Sequence, residues 1–271
     1  MNAVRGVGAH KGRTMLVFCP GFAMPPDRYD VLLRALSAGL GIECFGFCPP
    51  GVGARREERG PTHPRQLATS LLDVVASSRG ECSRIWIGHS WGGHVARFGA
   101  EIDALASHLV LLDPNLGNYV RRAPAPWSPP VGFDSRDQLV AVYASYGIPE
   151  SRIAWEWWRP EEDGRWTRNF DLTTMRAYAE AFPLGDVIGH LSRLGRRVVI
   201  AAIRADGGSV SGDHRWACLR RRARAVRILA LPGASHGLAA GEQTKVAELI
   251  LQSAVAHRGC PTSHFRPGAA L

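Results

Sequence analysis

The stretch "IWIGHSWGGH" (residues 85–94) sets an apolar run against one serine, Ser90, with a glycine two residues to either side, Gly88 and Gly92. The run before Ser90 reads as a buried strand and residues 91–104 read as a helix. A serine at a strand-to-helix junction in the pattern G-x-S-x-G is the setting of a nucleophile elbow. The turn is so tight that Ser90 takes a strained backbone conformation, and side chains at 88 and 92 would collide. Its hydroxyl then stands clear at the C-terminal end of the sheet. The bland alternative is a tight turn carrying an inert serine.

A serine hydroxyl is a poor nucleophile without a base. The last strand-like run, "AVRILAL" (225–231), is followed by "PGASHG", which puts His236 in the next loop; of the ten histidines only this one sits there. His89 and His94 flank the elbow, where packing or hydrogen-bonding roles suit them better.

Outward from the elbow, short apolar runs alternate with helix-like stretches. The strands expected are 14–19, 43–47, 84–88, 108–113, 197–204 and 225–231, and the helices 28–40, 64–79, 91–104, 213–223 and 241–257. Short, largely non-alternating strands are buried on both faces, which implies an α/β fold with a mostly parallel sheet. Residues 115–190 break the rhythm. They hold five of the eight tryptophans, Trp127, Trp155, Trp157, Trp158 and Trp166, with helices expected over 135–146 and 171–182. The tail 257–271 is expected to be loose.

With "CPGFAMPPDRY" (19–29) added, these motifs resemble the α/β-hydrolase family over roughly residues 14–255. The resemblance implies a core of residues 1–114 and 191–271, with the N-terminal hairpin reduced or absent, and a helical lid at 115–190. It implies an oxyanion hole from the backbone N–H groups of Phe22 and Trp91. Pro20 stands where the family often has histidine, and Gly21 is kept. "CPPGVGAR" (48–55) resembles the family's structural Pro-Gly-x-Gly turn. The acid is usually in the loop after the penultimate strand, here "IRADGGSVSGD" (203–213), where Ser209 falls at the usual place. Asp206 and, farther along, Asp213 are nearby. Some members take the acid from the preceding core strand, which here ends on Asp113. Asp113 and Asp206 therefore both stand as candidates.

The function implied is serine hydrolysis of an ester, thioester or lactone through an acyl-enzyme, without metal or cofactor. If "WEWW" (155–158) is helical, Trp155 and Trp158 share a face, and that face would bind an apolar or aromatic acyl group. The alternatives are a lyase, cyclase or cofactor-free oxygenase on the same scaffold, or a binding or signalling protein that keeps the elbow as a relic.

Composition narrows the setting. Apolar residues make up 45% of 271 and charged residues 21%, so a large core is available. No apolar run reaches the roughly 18–20 residues of a membrane helix, and "MNAVRGVGAHKGR" has no leader-like run, so a cytoplasmic location is expected. The net charge of +9 is carried almost wholly by arginine, lysine occurring only at 11 and 245. The "RWACLRRRARAVR" cluster (215–227) reads as a solvated face, so the expected partner is a small-molecule substrate and neither nucleic acid nor membrane. The six cysteines are scattered without C-x-x-C, as buried thiols are.

Overall fold

The computed structural model of the chain describes residues 4–7, 14–79, 81–117, 130–147, 149–150, 153, 155–181 and 185–258. Trp127, Cys260 and the tail from residue 259 lie outside them.

The chain enters through β1 (Val4–Val7) and β2 (Thr14–Cys19). A 3-10 turn over Pro26–Tyr29 leads into α1 (Asp30–Leu40), then β3 (Glu43–Phe47), α2 (Pro64–Arg79) and β4 (Ser83–His89). Next come α3 (Gly92–Ile102) and β5 (Ala106–Leu112). All the expected core strands form, shifted by at most two residues at their ends. Among the described residues β1 pairs antiparallel with β3.

Beyond β5 lie β6 (Gly132–Phe133), α4 (Arg136–Ser145), a 3-10 turn at Trp155–Trp157, β7 (Trp158–Pro160) and β8 (Trp166–Arg168). Then follow α5 (Leu172–Glu180), α6 (Val187–Leu194), β9 (Val199–Ala205), α7 (Asp213–Arg222), β10 (Val226–Leu231) and α8 (Ala240–Arg258). Among the described residues the main sheet runs β1-β3-β2-β4-β5-β9-β10, parallel except for β1.

Alternation along the buried strands feeds two cores. Met15, Val17, Trp86, Leu109 and Leu111 face α2, α3 and α6 through Leu71, Val95 and Leu191. Leu16, Phe18, Ile87, Val110 and Leu112 face α1 and α8 through Leu33, Leu36, Val246 and Ile250. Helices cover both faces, which is why these strands lack a polar side.

The segment between β5 and β9 departs from expectation in two ways. Its first half is not purely helical: β6, β8 and β7 form a small antiparallel sheet. Strands of two or three residues are too short to show a period in sequence. Phe133, Leu139, Ile153 and Trp158 make a separate apolar cluster there. Its second half does not stand apart from the core, because Met175, Tyr178, Ile188 and Leu191 join the main cluster. The helices α4, α5 and α6 start at capping side chains, Ser135, Asp171 and Asp186, each accepting a hydrogen bond from the N–H three residues on.

Candidate active site

Ser90 sits between β4 and α3 with φ of 50°, the left-handed region that non-glycine residues rarely enter. The Ser90 N–H donates to the Leu112 carbonyl at 2.9 Å and its carbonyl accepts from Gly93 N–H at 3.1 Å. A Cβ at Gly88 would run into the Gly92 backbone, and one at Gly92 into the carbonyls of Cys19 and Pro20. The glycines thus let the turn nest against the end of β2. At their far ends β4 and α3 are tied by a buried ion pair, Arg84–Asp103 at 2.7 Å, with Trp86 Nε1–H also donating to Asp103 at 2.9 Å.

His236 lies in the loop after β10, with Nε2 2.9 Å from Ser90 Oγ and Nδ1 2.5 Å from Asp113 Oδ2. The expected nucleophile, base and one candidate acid are therefore brought into one hydrogen-bonded line. Asp113 follows β5 with φ of 38° and is 1% exposed. Burial alone would raise its pKa. Hydrogen bonds from His236, Ser209 Oγ and Val210 N–H outweigh burial and hold the carboxyl below its ordinary value. Ser209 is itself held by Trp216 Nε1–H at 3.1 Å.

Asp206 is not part of this line. Its N–H bonds the Leu231 carbonyl at 3.1 Å, and its half-exposed carboxylate faces Arg204 at 3.6 Å. Asp213 also pairs with Arg204.

Phe22 follows Gly21 at the end of β2, and Trp91 opens α3, so both expected amides belong to the segments that border Ser90. The Trp91 ring stacks on Tyr178 at 4.9 Å and meets the Phe22 ring edge-on at 6.4 Å.

The tryptophans of "WEWW" are placed otherwise than expected. No helix forms there: a 3-10 turn passes directly into β7. Trp158 is 4% exposed inside the small cluster, against Phe133, and donates to Tyr143 Oη at 3.2 Å. Trp155 packs edge-on against Trp166 at 5.4 Å with Arg136 over its face. Both rings are spent on the packing of this segment. Trp157, which diverges from them, is the one that reaches the main core, edge-on to Phe170 at 6.0 Å.

Three contacts had no signal in the sequence. Arg28 donates from Nε to Glu156 at 3.2 Å and from Nη2 to the Gly237 carbonyl at 3.1 Å, joining the "WEWW" turn to the His236 loop. Tyr29 bonds to His89, the neighbour of Ser90.

A cleft of about 530 Å³ opens elsewhere, lined by His63, Arg97, Phe98, Glu101, Asp186 and His190. It pairs no nucleophile with a base, so the chemistry is read from the Ser90 line. Among the described residues no cluster of three or more His, Cys, Asp or Glu is placed to hold a metal.

The sequence matches the profile of the alpha/beta hydrolase family over residues 16–249. The chain belongs to that family. No curated protein matches it by sequence. Among solved structures it is similar to E-2-(acetamidomethylene)succinate hydrolase, at 18% identity and a TM-score of 0.69 over 95% of this chain and 94% of that one. It is also similar to an M. tuberculosis esterase, at 19% identity and TM-score 0.67 over 93% and 91%. A third is the thioesterase domain from the curacin biosynthetic pathway, at 14% identity and TM-score 0.68 over 91% and 93%.

Proposed function

We propose that this chain is a serine hydrolase that cleaves an ester, thioester or lactone of a small apolar or aromatic substrate through an acyl-enzyme. The observation that carries the reading is the unbroken line Ser90 Oγ–His236 Nε2–His236 Nδ1–Asp113 Oδ2, with steps of 2.9 and 2.5 Å.

In this reading Ser90 Oγ adds to the substrate carbonyl as His236 Nε2 takes its proton. Asp113 fixes the tautomer and balances the imidazolium. The N–H groups of Phe22 and Trp91 receive the oxyanion, aided by the positive end of α3. His236 returns the proton to the leaving group. Water, deprotonated by His236, then releases the acid and regenerates Ser90.

The apolar preference is supported by Phe22 and Trp91, whose segments border Ser90 and whose rings meet edge-on at 6.4 Å. In this reading the small sheet of β6, β8 and β7 and the turn at Trp155–Trp157 serve as a lid, anchored near His236 by the Arg28–Glu156 pair. No described helix is long and apolar enough to cross a membrane. A cytoplasmic location suits the free cysteines Cys19, Cys44, Cys48, Cys82 and Cys218.

A fluorophosphonate probe and a p-nitrophenyl ester series test the reading. The wild type is expected to label and to turn over, and Ser90→Ala to do neither. An unlabelled wild type, or esterase activity kept in Ser90→Ala, rejects it.

A further inference from the structure

We propose that Tyr29 and His89 are positioning residues: with every proton assigned, they form a one-way hydrogen-bond chain that ties the Gly21–Phe22 segment to the backbone of His236.

His89 Nε2 lies 2.7 Å from the carbonyl oxygen of His236, and a carbonyl only accepts. Nε2 therefore carries the hydrogen. His89 is fully buried, and burial is the main cause that lowers its pKa to about 3, so the ring is neutral and Nδ1 is a bare acceptor. Tyr29 Oη is 2.6 Å from that Nδ1 and supplies the proton. The Met24 sulfur, 3.7 Å from the same hydroxyl, is the weaker and more distant acceptor. With its only proton committed, Tyr29 Oη accepts from Gly21 N–H at 3.2 Å. The chain runs Gly21 N–H to Tyr29 O–H to His89 Nε2–H to His236 C=O, and no link can be reversed.

Sterics point the same way. A Cβ at residue 21 would come within 2.9 Å of His89 Nδ1 and 3.3 Å of Tyr29 Oη, so the close approach needs glycine. Pro20, just before Gly21, has no N–H, so the Gly21 N–H is the donor through which the Tyr29–His89 chain holds this segment.

The two ends of the chain flank the chemistry. One end is next to Phe22, whose amide is assigned to the oxyanion. The other end is the main chain of the residue assigned as base. The rings of His89 and His236 are 5.0 Å apart and tilted by 37°, so a neutral His89 also spares His236 a repulsive neighbour. The catalytic part of this inference rests on the serine-hydrolase reading above. The proton assignment does not.

The first experiment is nitrogen-15 NMR of histidine-labelled protein, with His89→Gln used to assign the signals. The expected result is a neutral Nε2–H tautomer for His89 from pH 8 to pH 5, and its loss of tautomer restraint in Tyr29→Phe. A charged ring, or the Nδ1–H tautomer, overturns the proposal whatever the chain's activity. The second is kinetic. Tyr29→Phe and His89→Phe keep ring shape and are expected to lower both kcat and the rate of fluorophosphonate labelling roughly ten- to a hundredfold, with KM little changed. His89→Gln restores a donor to the carbonyl and is expected to recover part of the loss. Equal activity in all these variants rejects the positioning role, as does loss of thermal stability that fully accounts for the deficit in each. A wild type that never labels rejects the serine-hydrolase reading and leaves the NMR result standing.

Discussion

His236 Nδ1 lies 2.5 Å from Asp113 Oδ2, across 123 positions of chain. The contact brings Asp113 to the imidazole, while Asp206 faces Arg204. Asp113→Asn is expected to lower kcat for a p-nitrophenyl ester by about four orders of magnitude, because the amide favours the wrong imidazole tautomer. Asp206→Asn is expected to stay near wild type. The reverse order would return the role of acid to Asp206.

Ser209 donates to Oδ1 of the same carboxylate while accepting from Trp216 Nε1–H. Ser209→Ala removes one of the bonds that hold the acid ionised and leaves the carboxylate less satisfied. A charge-assisted bond contributes about 1.5 kcal/mol, so roughly a tenfold fall in kcat is expected. Asp113 is held below its ordinary pKa in the wild type, and losing the bond moves its titration upward. An unchanged kcat would make Ser209 incidental.

Arg28 touches both Glu156 and the Gly237 carbonyl. Arg28→Ala cuts the tie between the 155–157 turn and the His236 loop, and kcat/KM is expected to fall roughly tenfold. Glu156→Gln keeps an acceptor and is expected to cost less than about 1 kcal/mol in the same measurement. Matching losses in the two variants would point to the charge alone.

Three buried histidines should make the fold acid-sensitive. Burial lowers His89 to about 3 and His190 to about 4, and puts His94 well below 6.5. Arg97 sits against both His94 and His190 and adds to the effect there. Each ring binds fewer protons folded than unfolded below pH 6.5, so stability is full above that value and falls as pH drops. The slope is about 1.4 kcal/mol per pH unit for each group. Urea midpoints at pH 7, 6 and 5 should decline steadily; a flat series would contradict the buried, neutral assignment.

Trp158→Ala empties a site inside the small cluster and is expected to cost about 3–5 kcal/mol of that segment's stability without altering ester selectivity. Trp157→Ala is expected to change selectivity across a chain-length and aryl-ester series. Selectivity that follows Trp158 instead would revive the shared-face reading of residues 155–158.

How much of this could be read from the chain follows from what each feature leaves in one dimension. The elbow was legible because a tight turn demands glycine at both 88 and 92, and His236 because one histidine follows the last strand. The acid was legible only as a choice between Asp113, put first, and Asp206, for a geometric reason. Asp113 and Asp206 end adjacent strands, β5 and β9, at the same edge of the sheet. Only the positive φ at Asp113 and the turn at Ser209–Val210 decide which carboxylate meets the imidazole. The "WEWW" helix failed because a period of three or four was assumed over four residues, where a turn and a strand put Trp155 and Trp158 into the packing of the segment and Trp157 against the main core. The Tyr29–His89 link is a contact across 60 positions, with nothing local to announce it.

With Asp113 in the proposed role of acid, at the end of a central strand, the loop from 206 to 212 need not supply that carboxylate. Its bonds to the carboxylate are one hydroxyl and one amide, at Ser209 and Val210, while the buried Ser211 ties the loop to Pro114 and Leu116. A protein engineer could substitute or insert at Gly208, where an added Cβ meets nothing within 4 Å, while the carboxylate stays in register with β5.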